Sequence, residues 1–284
     1  MSHEAMTVEP AIDWLTCTWT HESKHCAAHL LDVVTFERNL ALQGNLMEVH
    51  QWQGYLGRKT ASFFVGSRAD GYCVRVSGSL AHAAFTSIYR ADMHVSRLDA
   101  AVTVWPRPEY ATLGLSALSD ARLAKMTGKA KNPATITHYE SDNGGFTLYI
   151  GKRASRVYAR LYNKEVESGD PYYKGSWRYE CELHNETATN TAKEILCCLL
   201  PVEEAVIGIV HAYWSSKGIR PAFPAASSSC EIVLPKREET TVERSLRWLA
   251  EQVSPTVARL MEAGYTSGVL AALGLPDSDI GHEL

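Results

Sequence analysis

Residues 146–183, FTLYIGKRASRVYARLYNKEVESGDPYYKGSWRYECEL, carry the pattern that decides the fold. At their centre, YARLYNK at 158–164 alternates with the two-residue period of a β-strand, whose successive side chains point to opposite faces. Tyr158, Arg160, Tyr162 and Lys164 then share one face, and Ala159 and Leu161 take the other. The next strand, 177–184, alternates in the same way, with Arg178, Glu180, Glu182 and His184 set against Trp177, Tyr179, Cys181 and Leu183. Pairing these strands brings phenols, cations and carboxylates to one face of a sheet.

Working outward, SDNGG at 141–145 reads as the turn of a hairpin between strands at 134–139 and 146–150. Its glycines are not a phosphate loop, because a strand rather than a helix follows them. Upstream, VSRLDAAVTVW at 95–105 is a strand too apolar to lie at an edge, ended by prolines at 106 and 108. Further strands are expected at 13–19, 60–65 and 72–77, the last two around the turn-forming cluster at 66–71. Helical periodicity marks 27–43, where Leu30, Leu31, Val34, Phe36, Leu40 and Leu42 give a mostly buried face. Other helices are expected at 79–89, 108–126, 187–200 and 202–217.

The chain also repeats itself. Val65-Gly66-Ser67-Arg68-Ala69, followed by Val74-Arg75-Val76, aligns without gaps with Ile150-Gly151-Lys152-Arg153-Ala154, followed by Ala159-Arg160-Leu161. Arg97-Leu98-Asp99 similarly resembles Arg178-Tyr179-Glu180, so Asp99 and Glu180 are read as related places. These matches predict an α+β fold with a pseudo-duplicated antiparallel sheet, flanking helices and a helical C-terminal tail. The expected division is a core at 1–220, with halves at about 13–105 and 133–217, a linker at 221–240 and a helical appendage at 241–284.

Composition narrows the class. A chain of 284 residues, 45% hydrophobic and 21% charged, is long enough to bury a large core. The opening MSHEAMTVEPAIDW has no cationic start followed by an apolar stretch, and no run of eighteen apolar residues occurs, so a cytoplasmic protein without membrane attachment is expected. Seven cysteines without a CxxC pair suit reduced thiols better than a disulfide framework or a zinc site. The net charge of −4 is unusual for a nucleic-acid binder, but its distribution is uneven. Residues 121–178 hold eleven Lys/Arg against five Asp/Glu, a local balance that suits a phosphate backbone as well as an ordinary solvated face.

The clustered side chains suggest a chemistry. A phenol with a pKa of about 10 is a poor nucleophile near neutrality; the neighbouring cations Arg160 and Lys164 favour its ionised form and neutralise a phosphate under attack. Asp99, Glu180 and Glu182 are hard oxygen ligands suited to Mg²⁺ or Mn²⁺. Together these parts describe phosphoryl transfer to tyrosine. The structural alternatives are packing tyrosines and a cross-strand ladder of Arg–Glu pairs. Asp99, in an otherwise apolar strand, needs a partner, either a metal or an arginine such as Arg97 or Arg178. His94, His138 and His184 form no tight His-x-His pair, so a histidine cage is not supported.

TLYIGKRASRVYARLYNKEVESG, the later WRYECELH, SRLDAAVTV and DWLTCTW together resemble the replication initiation factor family. Its members include rolling-circle initiators of plasmids, relaxases of conjugative elements and related phage proteins. The resemblance implies a nicking and joining enzyme related to the histidine-hydrophobe-histidine endonucleases, with other ligands in place of the histidine pair. By that similarity Tyr162 would attack an origin phosphodiester and stay linked to the 5′ end, leaving a 3′ hydroxyl as primer. Asp99 and Glu180 would hold the metal, with Glu182 in reserve, and Arg160 and Lys164 would hold the phosphate. Tyr158, on the same face, is a competing nucleophile. One departure stands out: the second acid of the family's R-x-D-x-x-x-D pattern is Thr103 here.

Two functions follow from this reading. One is a metal-dependent, site-specific DNA nicking endonuclease and strand transferase; the other is a non-catalytic origin-binding initiator that recruits a host helicase. A small-molecule phosphotransferase has no nucleotide-binding motif behind it. Origin DNA is the expected partner, with Lys129, Lys131, Lys152, Arg153 and Arg156 as candidate contacts. Host helicase and polymerase are further expected partners, and an inverted-repeat origin would suit a homodimer.

Overall fold

The computed structural model describes residues 6–45, 47–105, 112–129, 134–198, 200–226, 230–234 and 248–272. Its strands are β1 (Thr7–Thr20), β2 (Glu48–Trp52), β3 (Tyr55–Lys59), β4 (Phe63–Arg68), β5 (Gly71–Ser77), β6 (His94–Trp105), β7 (Ile136–Glu140), β8 (Phe146–Ile150), β9 (Val157–Asn163) and β10 (Trp177–His184). All ten join one sheet in the order β2-β3-β4-β5-β1-β6-β10-β9-β8-β7, and every pairing is antiparallel.

This order is a palindrome about the central pair β1 and β6. Each half is a long strand, a helix and a four-strand meander whose last strand returns to pair with the first. The helices are α1 (Cys26–Leu42) in the first half and α3 (Leu113–Met126) in the second. A further helix follows each meander: α2 (Ser79–Ser87) after β5, and α5 (Asn185–Cys197) after β10. The duplicated antiparallel sheet is therefore present, but the strands it relates differ from those of the string match. Topology pairs β4 with β9 and β5 with β10, whereas the matched strings lie on β4–β5 and β8–β9. Asp99 and Glu180 sit on neighbouring strands of one half rather than at equivalent places. The physical reason is that a short glycine-containing turn between two strands recurs wherever a hairpin closes, so the likeness of two turns does not identify which hairpins correspond.

Alternation places the core. Leu98, Ala100, Val102 and Val104 of β6, Tyr179, Cys181 and Leu183 of β10, and Ala159 and Leu161 of β9 all face the helices. α1, α2, α3, α5 and α6 (Val202–Ser216) bury their apolar sides against this face. Trp214 of α6 meets Tyr179 edge-on at 5.3 Å, and the Tyr179 hydroxyl accepts a hydrogen bond from the Ala222 amide at 3.2 Å. A fully buried large side chain of this kind contributes about 1.5–3 kcal/mol. α1 turns differently from expectation: its buried residues are His29, Val33, Glu37 and Leu40, while Leu31, Val34 and Leu42 are exposed. Glu37 is drawn inward by an ion pair with Arg58 of β3, 2.7 Å.

Among the described residues of the larger unit, no long helix packs on the opposite face. The short helix α4 (Lys164–Ser168) and a 3₁₀ turn, Pro171–Tyr173, cover one end of it near β9 and β10. There Trp105 packs against Tyr172 and Tyr173.

The chain divides into two units, residues 1–235 and 236–284. Residues 221–235, expected as linker, belong to the larger unit, with Phe223 and Cys230 in its core. In the smaller unit a π-helical turn, Leu249–Val253, leads into α7 (Ser254–Glu262) and then α8 (Thr266–Ala272). Among the described residues no helix is long and apolar enough to cross a membrane.

Candidate active site

Three carboxylates meet on the open face where β6 and β10 pair. Asp99 lies directly opposite Glu182, and Glu180 is opposite Ala101 and, on its other side, Arg160. Each of Asp99, Glu180 and Glu182 offers an oxygen within 4.8 Å of the others'. All three are buried. The cause is local: the two-residue period aims every second residue of β10 at this face, and Ala101 leaves room between the acids.

Buried carboxylates need partners. Arg97 grips Asp99 with both prongs, Nε–Oδ1 2.9 Å and Nη2–Oδ2 2.6 Å. Arg160 donates to Glu180, as does the Tyr162 hydroxyl, at 3.1 Å. His184 Nε2 lies 3.1 Å from Glu182. Glu182 Oε2 is 3.1 Å from Arg97 Nη2 but off the hydrogen-bond axis, so this buried oxygen has no hydrogen bond. The set is thus three hard oxygen donors, one of them short of a partner, facing two guanidinium groups. A hard divalent cation such as Mg²⁺ or Mn²⁺ fits that donor chemistry.

The electrostatics follow from burial. Desolvation lifts the Asp99 carboxyl to about 8; Arg97 opposes the rise, while Glu180 and Glu182 add to it. Burial also raises Glu182, but there His184 and Arg97 outweigh it and the carboxyl ends below its ordinary range. Burial weakens the charge of Arg160, and Glu180 more than restores it. The Tyr162 phenol is pushed well above its usual value, first by burial and then by Glu180.

The structure brings together Tyr162, Arg160, Asp99, Glu180 and Glu182. Glu182, expected as a reserve ligand, is a full member of the group. Lys164 departs from expectation: β9 ends at Asn163, whose side chain caps α4 by accepting from the Val166 amide at 3.0 Å. Lys164 therefore opens a helix, with its ammonium on Glu167 and 5.8 Å from the centre of the Tyr162 ring. Tyr158 lies opposite Glu182 and stacks on Tyr149 at 5.6 Å. Thr103 is buried and is not a ligand; its hydroxyl accepts from Arg178 Nε at 2.9 Å, while Arg178 Nη1 reaches Asp13 at 3.0 Å. Arg97 and Arg178 were both legible as partners for a buried acid, and Asp99 has Arg97.

Lys152, Arg153 and Arg156 are exposed on the β8–β9 turn. Arg153 is near enough to Tyr158 for its charge to act on that phenol. Lys129 is exposed beyond the end of α3, on the helix-bearing side of the sheet, away from this face. Lys131 lies outside the described residues.

An open antiparallel sheet face with three buried carboxylates beside a tyrosine, on a duplicated sheet flanked by helices, defines the class as an α+β protein with an acidic site on its sheet. The replication initiation factor model matches residues 93–273, well over half of the chain. The chain belongs to the replication initiation factor family. No curated protein matches it. Among solved structures it is similar to the rolling circle replication initiator protein from Geobacillus stearothermophilus, with 21% identity and a TM-score of 0.47, covering 71% of this chain and 84% of that one.

Proposed function

We propose that this chain initiates rolling-circle replication by nicking one DNA strand at an origin, with Tyr162 as nucleophile and Asp99, Glu180 and Glu182 as ligands of Mg²⁺ or Mn²⁺. The observation that carries the reading is the hydrogen bond from the Tyr162 hydroxyl to Glu180 Oε2 within the three-carboxylate group. A bound divalent cation would polarise a phosphoryl oxygen and offset the crowded negative charge. Glu180 receives the phenol proton as the Tyr162 oxygen bonds to phosphorus; the bond from phosphorus to the 3′ oxygen breaks, and that oxygen takes a proton from water. The products are a 5′-phosphotyrosine link and a free 3′ hydroxyl. Arg160, held by Glu180, orients the phosphate, and Lys164 adds positive charge at the rim. The exposed Lys152, Arg153 and Arg156 contact the backbone beside the nick. A host helicase and polymerase would then extend the 3′ end, with the chain acting as a homodimer on a repeated origin.

The test is incubation of the protein with Mn²⁺ and labelled single-stranded oligonucleotides from its own genetic element, resolved on a denaturing gel. A covalent band that disappears with chelator supports the reading. The near-complete burial of Tyr162, 6% exposed, favours a second one: an initiator that binds origin DNA, does not cut it and recruits a helicase. Salt-sensitive origin binding without any covalent band would select it.

A further inference from the structure

The first half of the sheet carries a second row of side chains on the same open face. Arg97 Cζ lies 4.3 Å from the Trp14 ring centre, and Arg75 Cζ approaches the same ring at 5.6 Å. Arg75 also stands 5.1 Å from the Trp52 ring. Trp52 in turn meets Phe64 edge-on at 5.7 Å. The row thus runs from Arg97, which holds Asp99, across β1 and β5 to the β2–β3 hairpin. Trp14, Trp52, Arg75 and Arg97 are all partly exposed. A hydrogen bond from Trp14 Nε1 to Thr16 Oγ1, 2.8 Å, fixes the first indole.

Two features separate this row from ordinary packing. Among the described residues Arg75 has no carboxylate partner; its contacts are the two indoles. The palindromic order also makes β1 and β5 the counterparts of β6 and β10. Where the second half carries its acids, the stretch of β1 paired with β5 shows Trp14, Thr16 and Thr18 on the open face and β5 shows Cys73, Arg75 and Ser77; the acids of β1, Glu9 and Asp13, lie nearer its start, where Asp13 is held by Arg178 and Glu9 by Tyr172. Partly exposed aromatic rings flanking an unpaired cation suit single-stranded nucleic acid: any base can stack on an indole, and the Arg75 guanidinium can take a phosphate.

We propose that this row seats the single strand of DNA leading into the candidate active site, with bases on Trp14 and Trp52 and a backbone phosphate on Arg75. Duplication would then have split the work, one half holding the reacting phosphate and the other the strand attached to it. The inference rests on the nicking reading for what lies at the end of the row, yet it is tested by binding alone.

The full chain, in chelator, is titrated against a fluorescein-labelled oligothymidylate about twenty nucleotides long and against a duplex of the same length, read by anisotropy, with thermal melting in parallel. Arg75→Gln and Trp52→Ala are each expected to weaken single-strand binding about tenfold, and Trp52→Phe to retain most of it. Arg75→Gln removes no ion pair, so it decides the matter if Trp52→Ala disturbs folding. Parent-like affinity in Arg75→Gln, or equal affinity of the parent for the duplex, would overturn the proposal. Failure of the nicking reading is a separate result, the absence of a covalent band for the parent on origin oligonucleotides, and leaves this titration unaffected.

Discussion

Arg97 and Asp99, two residues apart on β6, form a two-pronged ion pair with distances of 2.9 and 2.6 Å. The pair does not make Asp99 an ordinary carboxylate, because burial and the adjacent Glu180 and Glu182 raise its carboxyl to about 8 in spite of the guanidinium. In an unfolded chain the same group titrates near pH 3.9. Between about pH 4 and pH 8 the folded state therefore holds a proton that the unfolded state has lost, and stability falls as pH rises through that window. Chemical denaturation of the metal-free protein should show this decline, and Asp99→Asn should flatten it.

With Asp99 as a metal ligand, as proposed, Mn²⁺ binding would displace the same proton, since a metal ligand has to be ionised. Affinity for Mn²⁺ should rise from pH 6 to pH 8, with proton uptake by the buffer visible in calorimetry across buffers of different ionisation enthalpy. Glu182→Gln should weaken Mn²⁺ binding, whereas Thr103→Ser should leave it unchanged, because Thr103 serves Arg178 rather than the acid group.

Thr103→Val should destabilise the fold without touching the triad. It leaves the Arg178 Nε without its acceptor in a buried setting, at a cost of about 1–3 kcal/mol. Urea denaturation measures the loss, and a shift well under that range would mean that water replaces the hydroxyl.

Gly114 marks where α3 lies closest to the sheet. A Cβ there would stand 2.3 Å from a ring carbon of Phe146 and 2.8 Å from Trp177. Gly114→Ala should cost about 1–3 kcal/mol through overpacking, read as a lower urea midpoint.

The strands of the second half were legible because their alternation is regular: 157–163 and 177–184 put every charged residue on one face and every aliphatic residue on the other. The same period located Asp99, since a lone acid in an apolar strand demands a partner. β2 and β3 carry no such signal. EVHQW and YLGRK mix polar and apolar residues on both faces, although of the two β2 alone lies at the sheet edge and β3 is paired on both sides. With them went Trp52, and with Trp52 the aromatic row. Lys164 belongs to the element after the strand whose alternation it continues, since the Asn163 cap that ends β9 reads in sequence as one more strand residue. The correspondence between halves lies in strand order, which short strings cannot carry.

Whether Tyr162 is the nucleophile is best tested by the covalent adduct itself. The parent, Tyr162→Phe, Tyr158→Phe and Asp99→Ala are incubated with Mn²⁺ and 3′-labelled origin oligonucleotides and run on a denaturing gel, with the modified tyrosine located by peptide mass. The account predicts an adduct on Tyr162 in the parent and in Tyr158→Phe, and none in Tyr162→Phe or Asp99→Ala. An adduct that persists in Tyr162→Phe, or none in any protein on any origin oligonucleotide, would contradict it.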